Sequence, residues 1–146
     1  MVYPIHLSIF TLSITVCMSE MDALWIFMLV AVLLTPLIMI GFGRLFMTNP
    51  PKEINSVFEY RTKRSMRNRD TWIFAHHYVG KLWFMCGFIS APLSLVPMLC
   101  VVGENADVVN LIGLILVCIQ AVLLIATMVL TERALKKHFD DSGKPR

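Results

Sequence analysis

A chain of 146 residues that is 57% hydrophobic and 16% charged, with a formal net charge of +3, is not composed like a soluble domain, where about 45–50% apolar and about 25% charged residues are usual. The missing charge is concentrated: residues 23–43, 82–103 and 108–131 contain no Asp, Glu, Lys or Arg. A bilayer core about 30 Å thick is crossed by about 20 helical residues, and a helix satisfies its own backbone where lipid cannot, so each run is read as a membrane span.

The expected fold is an all-α membrane protein, with three transmembrane helices in a small bundle at about residues 22–47, 71–102 and 108–131. Ahead of them lies an apolar N-terminal segment, residues 1–21. Between Pro4 and Glu20 it is short for a span, and it lacks the basic start and small-residue cleavage site of a signal peptide. It is expected to be an interfacial helix or an upstream misreading of the start, since Met18 opens "MSEMDALWIF".

In the first span Trp25 sits where an outer interfacial anchor belongs, and Arg44 where an inner one does. Pro36 falls mid-span and should kink the helix, and the prolines of "NPP" at 49–51 should stop it. The following loop is the basic part of the chain, with Lys52, Arg61, Lys63, Arg64, Arg67 and Arg69; the tail adds Arg133, Lys136, Lys137, Lys144 and Arg146. No Lys or Arg precedes Arg44. Because positive charge stays cytoplasmic, the N-terminus is expected outside and the loop and C-terminus inside, a parity that three spans also require.

Asn68 or Asp70 should cap the second helix, which is longer than a bilayer needs and should meet hydrocarbon near Lys81. Pro92 and Pro97 should bend or break its outer half. One face carries Trp72, His76, Gly80, Trp83, Gly87, Ala91 and Ser94 at spacings of three and four. Gly87 and Ala91 form a small-xxx-small pair, and Gly80 lengthens the groove in which another helix can approach. A binding groove for a peptide or lipid is the competing reading of the same stripe. On the third helix, Gln120 is the one strongly polar side chain deep in a span, and it should bond a neighbouring helix. Residues 22–135 thus form the membrane domain and 136–146 a cytoplasmic tail. Glu132 and Lys136 are spaced to pair, and "SGKPR" should be a frayed end.

Little points to reaction chemistry. Cys17, Cys86, Cys100 and Cys118 form no CxxC pair and read as small buried hydrophobes. His76 and His77 point about 100° apart on a helix and cannot chelate as an i, i+4 pair does. His77 and Lys81 do share a face, where Lys81 would snorkel to the headgroups or join His77 in a titratable pair. No nucleotide-binding glycine loop, Ser/His/Asp set or intramembrane carboxylate is present. No enzyme, cofactor or metal is therefore expected. The basic segment suits a bilayer surface of anionic lipid, and no nucleic acid partner is expected.

One segment is more specific than its charge. After "NPP" come Asn55, then Tyr60, Arg61, Thr62, Ser65, Asn68, Trp72, His76, Gly80 and Lys81. This order resembles the SdpI family of small bacterial membrane proteins, whose signature is G-Y-R-T-x-x-S, then an Asn three residues on and a Trp four beyond. The glycine of that pattern is Glu59 here, so a turn that exploits glycine's positive φ would be made differently. The resemblance implies a multi-pass protein of the bacterial plasma membrane that confers immunity to a secreted, membrane-active peptide toxin. It also implies a second role, since toxin engagement in the type member leads to capture of a cytoplasmic repressor. Arg61, Thr62 and Asn68 would then brace the loop against the second helix, with Trp72 anchoring it at the interface. The alternatives are a membrane scaffold that recruits a soluble partner through the basic loop, and a small transporter or channel subunit.

Overall fold

The computed structural model describes residues 3–51 and 60–146, with side chains from Asp22 onward. Three helices follow one another, α1 (Tyr3–Thr48), α2 (Arg69–Cys100) and α3 (Ala106–His138). Among the described residues the only β pairing is an isolated bridge between Phe139 and Pro145. All three helices are long and apolar enough to cross a membrane, over Asp22–Thr48, Arg69–Cys100 and Ala106–His138. The backbone of the apolar N-terminal segment is helical from Tyr3 and continuous with the first span; its side chains lie outside the described residues.

Local chemistry explains the helix ends. Asn68 caps α2 in a reciprocal capping box with Thr71, and Asn105 caps α3 by accepting from the Val108 amide at 3.0 Å. Each satisfies an amide that the first helical turn leaves free. Asp107 in the first turn of α3 and Lys136, Lys137 and His138 in its last complement the helix dipole. A tight turn through Gly103 joins α2 to α3. Pro92 and Pro97 do not break α2, which continues through both. A membrane helix tolerates proline because neighbouring groups can satisfy the carbonyls it frees.

Inside and outside are inverted relative to a water-soluble bundle. Phe27, Leu93 and Val122 are each about two-thirds exposed, and an apolar belt continues around all three helices. Ser90, Ser94, Gln120, Thr127 and Thr131 are buried. Water would penalise that arrangement, whereas lipid favours it, because chain-facing polar groups find partners only in the interior. A belt this continuous is the surface that acyl chains cover.

Polar contacts and close backbone approach hold the helices together. Gly43 of α1 and Gly80 of α2 face each other so closely that a Cβ on Gly43 would lie 2.5 Å from the Phe84 nitrogen and 2.9 Å from the Gly80 oxygen. Only glycine permits that approach. Farther along, Gly87 lies against the Pro36 carbonyl and Ile40, so the glycines of the expected stripe do form the α1–α2 seam. Ala91, the other half of the small-residue pair, is only half-buried.

Gln120 joins all three helices. Its Nε2 donates to the Val32 carbonyl of α1 and to Ser94 Oγ of α2, both at 2.8 Å. Val32 is four residues before Pro36, which has no N–H to return to that carbonyl. The Gln120 amide therefore supplies the donor that the proline withholds. Near the α2–α3 turn, the half-buried Trp25 donates its indole N–H to the Met98 carbonyl at 2.8 Å. Met98 is among the last residues of α2, whose carbonyls have no helical donor. Trp25 thus bonds protein at the place where an interfacial anchor was expected.

Candidate functional site

The opposite end of the bundle, where α1 stops, α2 starts and α3 runs on beyond its apolar run, gathers most of the motif. Asn55 and Glu59 lie outside the described residues. From Tyr60 onward the chain closes into a compact loop that its own side chains stitch together. The Thr62 amide donates to Ser65 Oγ at 2.9 Å and the Ser65 amide to Thr62 Oγ1 at 3.1 Å. Ser65 Oγ, fully buried, lies 3.1 Å from the Thr62 carbonyl and 3.3 Å from that of Tyr60. Short hydroxyls at this spacing compete well for backbone groups, which makes them turn formers.

The loop then passes directly into the helix. The Thr71 amide donates to Asn68 Oδ1 at 2.8 Å and the Asn68 amide to Thr71 Oγ1 at 3.1 Å. Thr71 Oγ1 also reaches the Ser65 carbonyl at 3.1 Å. Thr71 is therefore as central to the site as Asn68, and sequence reasoning missed it. The signal was available as a short acceptor followed three residues on by a hydroxyl.

Tyr60 ties the loop to α3. Its buried hydroxyl lies 3.1 Å from the Met128 carbonyl and 3.2 Å from Glu132 Oε1, and its one proton serves either acceptor. Burial, reinforced by the Glu132 charge, raises the phenol pKa well above its ordinary value. Glu132 is thus committed to Tyr60, and among the described residues it makes no ion pair with Lys136, the partner its spacing suggested. A buried phenol within reach of a carboxylate gains more than a solvated i, i+4 pair does.

Trp72 departs from its expected role. It is fully buried, and its indole N–H donates to the Pro51 carbonyl at 3.0 Å. It pins the chain leaving α1 to the start of α2 from inside the bundle, where lipid headgroups do not reach. His76, one turn on and also fully buried, approaches the Trp72 carbonyl through Nδ1 at 2.8 Å. Its ring packs against Trp72 at 4.3 Å and edge-on to Phe46 at 5.1 Å. Gly80 completes this face against Phe46 and Gly43, and Trp83 donates to Thr127 Oγ1 of α3 at 3.0 Å. Lys81 and His77 are exposed.

The tail, expected to fray, is folded onto this loop. Asp140 accepts from the Ser142 amide at 2.8 Å, the Ser142 hydroxyl at 2.7 Å and the Lys144 amide at 2.8 Å. These bonds, the Ser142 hydroxyl foremost, hold its carboxyl below the usual aspartate pKa. Gly143 adopts φ +83°, and its carbonyl receives the Asn68 side-chain amide at 2.6 Å. Arg64 adds an ion pair with Asp141 at 3.1 Å. Asn68 thus caps α2 with its oxygen and holds the tail with its nitrogen.

The polar motif residues face inward, while Arg61, Lys63, Arg67 and Arg69 are exposed. Chemically this is a knot that shapes a basic surface; among the described residues no group of three or more His, Cys, Asp or Glu side chains could hold a metal ion.

Residues 52–131 match the profile of the SdpI/YfhL protein family. The chain is also 37% identical over 109 residues to the uncharacterized protein YfhL of Bacillus subtilis (strain 168), a match covering 75% of this chain and 89% of that protein. No solved structure matches it. The matched stretch begins before the loop, contains Tyr60 through Trp72 with their bonded partners on α2, and runs into the α3 segment that Tyr60 grips, so the chain belongs to the SdpI/YfhL family.

Proposed function

We propose that this protein acts without an enzymatic reaction, as an immunity protein of the bacterial plasma membrane that protects its producer from a secreted, membrane-active peptide toxin. The observation that carries the reading is the use made of the motif. Tyr60, Thr62, Ser65, Asn68 and Trp72 are spent on internal bonds that hold a loop rigidly at one end of a membrane bundle. Such a motif maintains a shape in the bilayer, which suits binding or excluding a peptide better than turning over a substrate. Family membership supports the same reading, with the loop and tail on the cytoplasmic side as their positive charge implies.

The test is expression in a toxin-sensitive host challenged with candidate peptides. Protection should be seen with the intact chain and lost in Trp72→Ala at equal membrane abundance. Full protection by Trp72→Ala would remove the motif from the mechanism.

A second reading has its own observation. Arg61, Lys63, Arg67 and Arg69 project outward from a loop that its inward residues make rigid, a surface suited to a soluble acidic partner such as a repressor. Replacing those four residues with Gln should abolish co-purification of such a partner and leave toxin protection intact if recruitment is a separate role.

A further inference from the structure

Between the Tyr60–Arg64 segment and the last turns of α3 lies an open groove of about 320 Å³, within the roughly 300–1,000 Å³ range of small-ligand sites. Its floor is apolar, formed by Met128 and Val129, and its rim carries Thr62, Arg133 and Lys136. The floor continues into the exposed apolar belt of α3 through Ile125 and Val122. The groove therefore opens both to the polar loop side and to the surface that acyl chains cover.

The charges around it are unequally engaged. Glu132, the carboxylate of the lining, lies within hydrogen-bonding distance of the Tyr60 hydroxyl. Arg64 is paired with Asp141. Arg133 and Lys136 are exposed, three residues apart on one helix face, and among the described residues neither enters an ion pair. The groove thus offers two cations above an apolar floor. A phosphodiester supplies the complementary charge and acceptor oxygens. A soluble anion would leave the floor uncovered, whereas a lipid covers it with its own chains.

We propose that this groove seats the headgroup of an anionic glycerophospholipid, of the phosphatidylglycerol type, drawn from the leaflet on the loop side. Arg133 and Lys136 flank the phosphate, and the acyl chains descend along Met128 and Ile125. The site is separate from the exposed basic face of the loop and does not depend on what the protein protects against.

The test uses the full chain reconstituted in vesicles of equal phosphatidylglycerol and phosphatidylcholine, extracted in mild detergent, with the retained lipid counted by native mass spectrometry. The intact protein should retain phosphatidylglycerol in preference, and R133Q/K136Q should reduce that retention several-fold. K137Q/K144Q removes the same charge from exposed positions outside the groove and should leave retention unchanged. Circular dichroism melts check that both variants remain folded. Equal loss in both variants would show a diffuse field and overturn the site. So would the absence of any lipid preference in the intact protein, or displacement of the lipid by millimolar inorganic phosphate.

Discussion

Gln120 offers the sharpest test of how the bundle is held together. In Gln120→Leu the side chain keeps its bulk but loses both 2.8 Å bonds, to the Val32 carbonyl and to Ser94 Oγ. Interhelical bonds in membranes average about 0.6 kcal/mol and reach about 1.7. The Val32 carbonyl is also stranded, since Pro36 provides no amide, and an unsatisfied buried group costs about 1–3 kcal/mol. Against this, Gln120 Oε1 is buried without a hydrogen-bond partner among the described residues, and removing it offsets part of the cost, so the substitution should destabilise by about 1–2 kcal/mol. The cost should fall when Pro36 is also replaced, because Pro36→Ala restores an N–H to the Val32 carbonyl. A double-mutant cycle, with unfolding followed by steric trapping in bicelles, should show a coupling of about 1 kcal/mol, well above the roughly 0.3–0.5 kcal/mol scatter of independent sites. Additive costs would refute the claim that Gln120 replaces the proline's missing donor.

Gly43→Val drives side-chain atoms into the backbone of α2 at Gly80 and Phe84, so it should destabilise by about 3 kcal/mol, the upper end for overpacking, whereas Gly41→Val, where a Cβ meets nothing within 4 Å, should be near neutral in the same unfolding assay. Asn68→Ala removes a helix cap, costing about 0.5–2 kcal/mol, and also releases the Gly143 carbonyl; hydrogen exchange should accelerate in residues 139–146 as well as in the first turn of α2, and unchanged tail protection would refute the dual role. Tyr60 holds its proton more tightly when folded than when unfolded, so its contribution is whole below about pH 10, the ordinary tyrosine pKa, and is lost as pH rises further. Tyr60→Phe should be less stable than the parent at pH 8 by about 0.5–1.5 kcal/mol, and the gap should narrow above pH 10 in parallel melts.

The motif loop and its surroundings separate two kinds of information. The cap at Asn68 was legible because capping is local, and Thr71, the partner that was missed, lies only three residues on. That Tyr60 would choose Glu132 over leaving it to Lys136 was not, since 72 residues separate the pair. The tail was misread for the same reason: "SGKPR" has the composition of a frayed end, and it is ordered because Asn68, 75 residues away, donates to the Gly143 carbonyl. Trp72 was assigned to the interface from its position beside charged residues, but the Pro51 carbonyl draws its indole inward.

Three uncharged runs were enough to determine three helices long and apolar enough to span a membrane, and their order, but not where the first begins, since α1 is already helical from Tyr3. Lipid leaves the backbone no choice but to bond within each segment, so the span is a property of the segment alone. Which polar side chains serve which helix was decided by tertiary structure. Pro36 opens a carbonyl on α1 and Gln120 on α3 closes it, across 88 residues from Val32. Either residue read alone is compatible with a lipid-facing kink or an unrelated bond, and only the approach of the two helices makes them partners.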